Sequence, residues 1–450
     1  MTLTGDFWFV ASIVSLILAA AFARWSAGSW LSPSSFMGAV WVVAAAPAAI
    51  IPGNGLAPAT FFVCAGFLCT CSAGAILAEC YLLTKRNRTS RSRSELVPEV
   101  SLDAKALSRW VTVLGVCGLA AAAAYIALAN EKPQSIFDLQ GWLKIPLQYS
   151  IARYEDTFLE PIPLRILIAL NYGGAMLSGV LLSLDASTRQ RRAAVVPFVA
   201  GTLITLITTA KAPMLIGLLS VVAGNLAARN LSVERARRQR LGRMFVGVIP
   251  MVVIVVLVAI VSLALRYGLS DGVDISLLSR RIGSYVFGHM YALSAWIDMN
   301  GLWAGNPHFG QYTFAGLFEA LGHYKREAGL YDPIYLNAMA AESNVFSVYR
   351  GLIQDFTYPG ALVFFMGFGA LSTIAGCRCG TKATQVLATL ILIAIYLFIA
   401  FSPIISIFSY NVLVLALVVV AFVLWSTARK SLCTPPGRTE PGADVCLRGE

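Results

Sequence analysis

The sequence has little charge. Only 13% of its 450 residues are Asp, Glu, Lys or Arg, whereas 58% are hydrophobic, and the mean hydropathy is +0.73. A soluble domain does not need that much apolar surface, so the composition predicts a chain that crosses a membrane many times. The formal net charge of +11 must then be explained by where the basic residues stand.

Patterns that bind metals or form disulfides are also missing. The nine cysteines stand in no metal-ligand spacing with the three histidines, and the two cysteines of Cys377-x-Cys379 are too close together to indicate a site. No cysteine falls in the two long loops between hydrophobic runs, so no disulfide framework is predicted there. The acidic residues lack the paired spacing that fixes a divalent cation. We therefore expect no metal ion and no other cofactor.

Hydrophobic runs of about 20 residues, the length that crosses a bilayer, recur along the chain. They cover approximately residues 7–25, 36–52, 59–83, 110–130, 163–184, 193–210, 212–228, 244–266, 359–377, 384–402 and 405–426. The first run lacks the basic start and the cleavage site of a signal peptide, so we expect it to be a true span. The sequence thus predicts an all-α polytopic membrane protein with about 11 transmembrane helices and a large helical extracytoplasmic loop.

The same runs predict how the chain is organised. We expect an N-terminal four-helix membrane segment, a smaller outer loop, central membrane helices, a large outer loop, C-terminal membrane helices and a disordered cytoplasmic tail. Their bounds are 1–130, 131–162, 163–266, 267–358, 359–426 and 427–450. An internal repeat, which many transporters carry, is absent from the sequence.

Arginine and lysine gather in the loops that follow the odd-numbered runs. They are Lys85, Arg86, Arg88, Arg91, Arg93, Arg189, Arg191, Arg192, Arg229, Arg235, Arg237, Arg238, Arg240, Arg243, Arg378, Lys382, Arg429 and Lys430. Basic residues in short loops mark the cytoplasmic side, so we expect the N-terminus outside, the C-terminus in the cytoplasm, and the chain in the cell inner membrane. The positive charge is then an orientation signal that meets lipid headgroups, and it does not indicate nucleic acid.

Residues 343–360, SNVFSVYRGLIQDFTYPG, combine a cation, an anion and an amide beside a hydrophobic run. On a helical wheel at roughly 100° per residue, every polar residue of 343–355 falls on one face and every apolar residue on the other. Residues 356–360 are predicted to turn the chain before a span begins at Ala361. Two interpretations stay open, namely an amphipathic connector on the membrane surface and the polar wall of a membrane-embedded site.

The large outer loop has helical patterns of its own. Residues 282–298 are predicted to be helical, with Arg281, Tyr285 and His289 on one stripe, and residues 314–324 form a second predicted helix. A loop of about ninety residues with its own helices is more often functional than a plain linker.

The order of these features resembles that of the bacterial oligosaccharide repeat-unit polymerases, also called O-antigen polymerases. The matching segments lie roughly within residues 140–400 and are Thr209-Ala-Lys211-Ala-Pro-Met-Leu215, Tyr285-x-x-Gly288, Phe309-Gly310-x-x-Thr313-Phe314, and Asn344-Val-Phe346 through Asp355-Phe356-x-x-x-Gly360. The family usually carries arginine where Lys211 stands, and lysine lacks the bidentate fork for phosphate. The related O-antigen ligases carry His-Asn where this chain has Ser343-Asn344, which favours a polymerase.

The resemblance implies a membrane glycosyltransferase. Such an enzyme polymerises undecaprenyl-pyrophosphate-linked repeat units into O-antigen, capsular polysaccharide or exopolysaccharide on the periplasmic face of the membrane. Its expected partners are the lipid-linked donor and acceptor, the bilayer, a chain-length regulator and a flippase. The alternatives are an O-antigen ligase, another glycan transferase with the same lipid carrier, and a flippase or transporter. Transport is disfavoured because the span interiors are nearly free of charge.

The reaction that the resemblance implies requires three kinds of side chain. A leaving pyrophosphate requires fixed cations, here in place of a metal, and the candidates are Arg350, Lys211, Arg280, Arg281 and Arg153. An acceptor hydroxyl requires a carboxylate or an imidazole, and the candidates are Asp355, Glu342 and His289. The sequence does not choose between the two carboxylates. The candidates for glycan contacts are Tyr285, Asn344 and Tyr312.

Overall fold

The computed structural model describes residues 3–50, 56–89, 100–129, 135, 137–155, 160–184, 186–231, 253–265, 282–284, 288–303, 307–323, 331–332, 334–335, 342–343, 345–377 and 381–430. Helices dominate these residues. They are α1 (Leu3–Ala27), α2 (Pro33–Ile50), α3 (Pro58–Thr89), α4 (Ala104–Leu128), α5 (Leu139–Tyr154), α6 (Ile162–Ser183), α7 (Thr188–Ala193), α8 (Val195–Thr208), α9 (Ala212–Asn230), α10 (Val253–Leu265), α11 (Gly288–Asn300), α12 (Ala315–Ala320), α13 (Val348–Gly376), α14 (Lys382–Phe401) and α15 (Asn411–Thr427). The strands are very short: β1 (Val100–Leu102), β2 (Ile334–Tyr335), β3 (Glu342–Ser343) and β4 (Ala428–Lys430).

Nine apolar helical segments of the described chain are long enough to cross a membrane, and each overlaps one predicted run. They are α1, α2, α3, α4, α6, α7 together with α8, α9, α13 and α14. Two shorter apolar helices, α10 and α15, overlap the two remaining runs. The all-α architecture with many apolar helices that could span a membrane is therefore confirmed, while the full count of eleven spans and the extracytoplasmic loop stay predictions.

Helix α13 is sharply bent and consists of two limbs. Thr357 has φ 61° and ψ 171°, which is not helical, and Pro359 follows it. The rings of Tyr349 and Phe365 lie 5.6 Å apart between centroids, whereas residues sixteen apart in a straight helix are separated by about 24 Å. The first limb (348–356) therefore folds back beside the second limb (358–376). The turn lies within the predicted segment 356–360, and the second limb covers the predicted span.

Two helix crossings bring backbones into direct contact. A Cβ on Gly179 of α6 would lie 2.0 Å from the carbonyl oxygen of Val221, and one on Gly224 of α9 would lie 2.0 Å from that of Met176. The crossing of α3 with the second limb of α13 is built in the same reciprocal way around Gly74 and Gly369. Small residues that admit a neighbouring backbone are the usual means of packing helices within a membrane.

The pairing of β1 with β4 joins the segment before α4 to the segment after α15. The strands are antiparallel, with Val100 opposite Lys430 and Leu102 opposite Ala428. Strands that share hydrogen bonds lie on the same side of a helix bundle. This agrees with the arginine pattern, which predicts one side for both segments, while the side of the membrane stays a prediction.

Helices near the candidate site differ from their predicted bounds. Helix α13 begins at Val348 and not at Ser343, because Ser343 pairs with Ile334 in the β2–β3 ladder. Of the described part of the predicted helix 314–324, only Ala315–Ala320 is helical, and the chain leaves it through Gly322 at φ 75°. Helix α11 covers the second half of predicted helix 282–298 and continues to Asn300.

Candidate functional site

The bend in α13 leaves two backbone carbonyl groups without their helical partners. Pro359 has no N–H to donate to the Asp355 carbonyl, and the turn at Thr357 interrupts the ladder. The His308 N–H donates to the Gln354 carbonyl at 3.2 Å, and the Phe309 N–H donates to that of Asp355 at 3.0 Å. A loop segment, residues 308–313, thereby docks on the end of the first limb.

The Asp355 side chain completes this docking. Its Oδ1 accepts from the Tyr312 N–H at 3.1 Å, and its Oδ2 accepts from the Thr313 N–H at 2.7 Å. The side chain is 0% exposed. The Ser406 hydroxyl donates to the Thr313 carbonyl at 2.6 Å from the other side. Asp355 therefore faces protein and not water, and both of its oxygens already hold the loop segment.

Arg350 lies on the first limb among aromatic rings. Its Cζ is 3.9 Å from the ring centroid of Phe346, 4.1 Å from that of Tyr331 and 5.8 Å from that of Trp296. Its Nε donates to Gln354 Oε1 at 3.4 Å. Its Nη1 is buried and has no hydrogen-bond partner among the described residues. The guanidinium is thus held by cation–π contacts while part of its donor capacity is unused.

The position of Arg350 within its helix adds to the local positive potential. The first limb starts after Ser347, and Arg350 lies in its first turn. A helix N-terminus carries partial positive charge, so a cation there is unfavourable until an anion approaches. The Ser347 hydroxyl does not cap the helix and has no partner within the described structure. These features together suit an anionic ligand.

A row of rings leads from Arg350 towards the surface. Tyr331 is buried and stacks on Tyr312, with centroids 5.7 Å apart and an interplanar angle of 15°. His308, which is exposed, meets Tyr312 edge-on at 5.2 Å. The row therefore offers flat apolar faces beside a cation, an arrangement that suits sugar rings attached to an anionic group.

His289 lies on α11, the helix that also supplies Trp296. The side chain is 7% exposed, and burial lowers the pKa of His289 to about 4. A backbone hydrogen bond with Ala44 raises this pKa, but by less than burial lowers it. The ring is therefore neutral at pH 7, and its Nε2 is buried with no partner within the described part of the chain. It contributes a neutral buried imidazole on the same helix that covers Arg350.

Lys211 lies on different elements from Arg350. It precedes α9 in the turn after α8, where Thr209 adopts a left-handed conformation with φ 53°. The Leu215 N–H donates to the Lys211 carbonyl at 3.2 Å. The α8–α9 pair packs most extensively on α6. The predicted tight turn between two spans is confirmed, and the role of the lysine stays a prediction.

The remaining predicted site residues have no described side chains. Glu342 belongs to strand β3 and Arg153 to helix α5, but only their backbones are described. The others lie outside the described residues and are Arg280, Arg281, Tyr285 and Asn344.

The structure corrects one interpretation of residues 343–355. A surface connector would expose its polar face, yet Ser347 and Asp355 are both 0% exposed. A Cβ on Gly351 would lie 2.8 Å from the Tyr331 hydroxyl, because the loop covers that face. The surface-connector interpretation is therefore wrong, and the polar face is enclosed by protein.

Sequence reasoning missed the rings that hold Arg350. Phe346 precedes Arg350 by four residues, a spacing that could have indicated the contact if the helix reached that far. Trp296 and Tyr331 carry no local signal, because their proximity to Arg350 depends on how the outer segments fold together.

Comparisons with known proteins give no match. No protein-family model matches it, no curated protein shows detectable similarity to it, and no solved structure resembles it. The likeness to repeat-unit polymerases therefore depends on the short segments quoted above and on their membrane context.

Proposed function

We propose that this protein is a membrane glycosyltransferase that polymerises undecaprenyl-pyrophosphate-linked repeat units into a surface polysaccharide. The supporting observation is the Arg350 guanidinium, fixed on aromatic faces at a helix N-terminus, with Nη1 buried and lacking a described partner. Such a preorganised cation stabilises negative charge that develops during a reaction, and a departing pyrophosphate develops that charge.

The proposed step is a displacement at a sugar carbon. A hydroxyl of the acceptor unit attacks the anomeric carbon of the donor glycan, and a new glycosidic C–O bond forms. The bond from that carbon to the pyrophosphate oxygen breaks, and the bonding pair leaves with the lipid-linked pyrophosphate. The hydroxyl proton passes to a base. Arg350 binds the oxygen atoms that gain charge, and Lys211 remains a second candidate for the same anion.

The burial of Asp355 changes the role proposed for it. A general base must come within hydrogen-bond distance of the hydroxyl that it deprotonates. Both Asp355 oxygens already accept backbone N–H groups from Tyr312 and Thr313. We assign Asp355 to positioning the loop segment, and Glu342 becomes the preferred candidate for the base. Tyr312 and His308 then bind the apolar faces of the glycan.

We place the reaction at the periplasmic face of the inner membrane, as the distribution of basic residues predicts. A chain-length regulator and a flippase are the proposed partners. An O-antigen ligase would use the same lipid carrier and the same arginine, so the product and not the anion site distinguishes the two enzymes. A flippase would transport the lipid without changing glycan length.

The test is the surface polysaccharide of a strain that lacks the gene, compared with the same strain carrying the wild-type gene. Electrophoresis of the glycan should show a single-repeat band in place of a ladder, and the restored gene should return the ladder. Loss of every repeat would instead indicate a ligase or a flippase. An unchanged ladder would contradict all three functions.

A further inference from the structure

One side-chain amide inside the helical bundle is enclosed and unpaired. Asn171 lies in the middle of α6, a helix long and apolar enough to cross a membrane, and its side chain is 0% exposed. Neither its Oδ1 nor its Nδ2 has a hydrogen-bond partner among the described residues. Burial of an amide without hydrogen bonds is costly, and lipid tails offer no bond in place of water. The amide is therefore a candidate contact for a polar ligand.

Two glycines make the room in which this amide lies. A Cβ on Gly118 of α4 would lie 2.2 Å from Asn171 Oδ1, so a larger residue at this position would displace the amide. On the other side, a Cβ on Gly201 of α8 would lie 3.8 Å from Asn171 Nδ2. The amide is thus seated between α4 and α8, with its oxygen against one glycine and its nitrogen towards the other.

The space beside Gly201 has the size and the polarity of a water site. The position that its Cβ would take is 3.3 Å from the Pro213 carbonyl oxygen, which is its nearest contact with another helix. A carbon atom is crowded at this distance from an oxygen, whereas a water oxygen can approach to about 2.8 Å and donate to it. A carbonyl has two lone pairs, so Pro213 can accept from water as well as within α9.

A hydroxyl of α8 holds the Pro213 carbonyl in place. Thr205 lies one helical turn after Gly201, and its Oγ1 accepts from the Met214 N–H at 3.0 Å. This bond fixes the first turn of α9 against α8, directly after the turn that carries Lys211. The carbonyl is therefore fixed beside Gly201 by the fold itself.

We infer that one water molecule binds between the Asn171 amide and the Pro213 carbonyl, inside the helical bundle. Buried waters bind where two to four polar groups surround a space of their size. Water both donates and accepts, so it pairs with the carbonyl and with either atom of the amide. It then joins α6 to α9 beside Gly201 of α8. The inference does not depend on the proposed glycosyl transfer.

The experiment is a double-mutant cycle on the full-length protein in detergent, measured by thermal unfolding. Gly201→Ala places a methyl group where the water binds, and Asn171→Leu removes the amide that the water serves. In the wild-type background, Gly201→Ala should lower the unfolding midpoint by about 3 °C, because the amide loses its partner. In the Asn171→Leu background, the same change should leave the midpoint unchanged or raise it, because alanine stabilises a helix relative to glycine.

The cycle separates a water from simple crowding. Contact of the new methyl group with Pro213 is the same in both backgrounds and cancels, and 3.8 Å from Nδ2 is an ordinary contact. Gly217→Ala, at a position of α9 where a Cβ meets nothing within 4 Å, is the control and should act equally in both backgrounds. Equal effects of Gly201→Ala in the two backgrounds would overturn the inference. A high-resolution cryo-EM map in which the Asn171 amide bonds directly to protein would also overturn it.

Discussion

The two limbs of α13 belong to one helix, yet their polar groups differ in whether they have hydrogen-bond partners. In the second limb, the Ser372 and Thr373 hydroxyls donate to the Gly369 carbonyl at 2.7 and 3.2 Å. In the first limb, the Tyr349 hydroxyl and Arg350 Nη1 are buried and find no partner in the described chain. The two hydroxyls of the second limb are therefore bonded within their own helix, whereas the first limb, although its Asp355 carboxylate is bonded, keeps two buried polar groups without a described partner.

This difference distinguishes polar groups that stabilise the fold from polar groups that a ligand could use. An unsatisfied buried polar group costs roughly 1–3 kcal/mol, so an unused donor beside other ligand-like features is a candidate contact for a ligand. Thr357 and Phe309, with φ of 61° and 51°, add backbone strain at the same junction. Two left-handed residues and the unused donor capacity of Arg350 therefore occur together where the first limb meets the loop.

The largest expected effect belongs to the second limb. A Cβ on Gly369 would lie 1.9 Å from the Cys71 carbonyl oxygen, so Gly369→Leu must separate α13 from α3. Overpacking alone costs about 1–3 kcal/mol, and here the obstacle is backbone that cannot rotate away. We expect no monodisperse protein in size-exclusion chromatography. Gly367→Leu is the matched control because that position has open space. Normal elution of both variants would contradict the crossing.

The next effect concerns glycan length and the first limb. Arg350→Ala should reduce chain growth about a hundredfold, since a lost transition-state contact to charge typically costs about 3 kcal/mol. Arg350→Lys should recover only part of the activity, because an ammonium cannot make the paired contact. The measurement is the glycan ladder at equal membrane abundance. A wild-type glycan ladder from Arg350→Ala would refute the proposed role of Arg350 in the reaction.

Docking of the loop supplies the third prediction. Asp355→Ala leaves the Tyr312 and Thr313 N–H groups without their acceptor, and we expect a loss of about 2 kcal/mol in unfolding free energy. Asp355→Asn keeps one acceptor oxygen and should be intermediate. Thermal unfolding in detergent provides the measurement, with Asp298→Ala, at an exposed position of α11, as control. Equal midpoints for Asp355→Ala and Asp298→Ala would refute the docking role.

His289 gives a pH dependence whose size per pH unit is smaller. Because burial lowers its pKa from 6.5 to about 4, the unfolded chain binds more protons between these values. Stability should therefore fall as pH drops from about 6.5 towards 4, by at most about 1.4 kcal/mol per pH unit from this group, and should not change above pH 7. His289→Gln should flatten this part of the curve, whereas His308→Gln, at an exposed position, should not. Identical slopes of stability against pH in the wild type, His289→Gln and His308→Gln would disprove a neutral buried His289 ring.

The smallest effect is expected at Tyr349. Its ring stacks on Trp41 with centroids 4.2 Å apart, and its hydroxyl lacks a described partner. Tyr349→Phe keeps the stack and removes only the unsatisfied group, so stability should be unchanged or higher by about 1 kcal/mol. The thermal unfolding midpoint should be no lower than that of the wild type, and the glycan ladder should match it. A marked loss in either would mean that the hydroxyl has a ligand.

The membrane segments and the bend of α13 could be predicted because their causes are local. Twenty apolar residues identify a candidate span wherever they occur. Pro359 and Gly360 at the end of residues 343–360 indicate a turn without reference to the rest of the chain. The start of α13 could not be predicted, because the wheel pattern extends through Ser343 while the pairing with Ile334 draws that residue into a strand.

Much of the candidate site depends on contacts that have no local signature. The Asp355 carboxylate bonds to a backbone amide 43 residues earlier, and nothing near Asp355 indicates this partner. An acidic residue on a polar helical face predicts exposure to water or a ligand, yet backbone amides compete for the same oxygens. Trp296 and Tyr331 reach Arg350 for similar reasons, through packing that composition does not encode locally.

The bend at Thr357 also has a consequence for biosynthesis. Val348 donates to the carbonyl of Ser402, and the hydroxyl of Ser406 holds a loop residue that lies 93 positions before it. The ribosome makes the loop first, the two limbs of α13 next, and these anchors last. Chains that end before residue 402 therefore insert most of their spans but lack the anchors of the first limb. The first limb, which carries Arg350, is therefore anchored at its start only after residues 402–406 have been made.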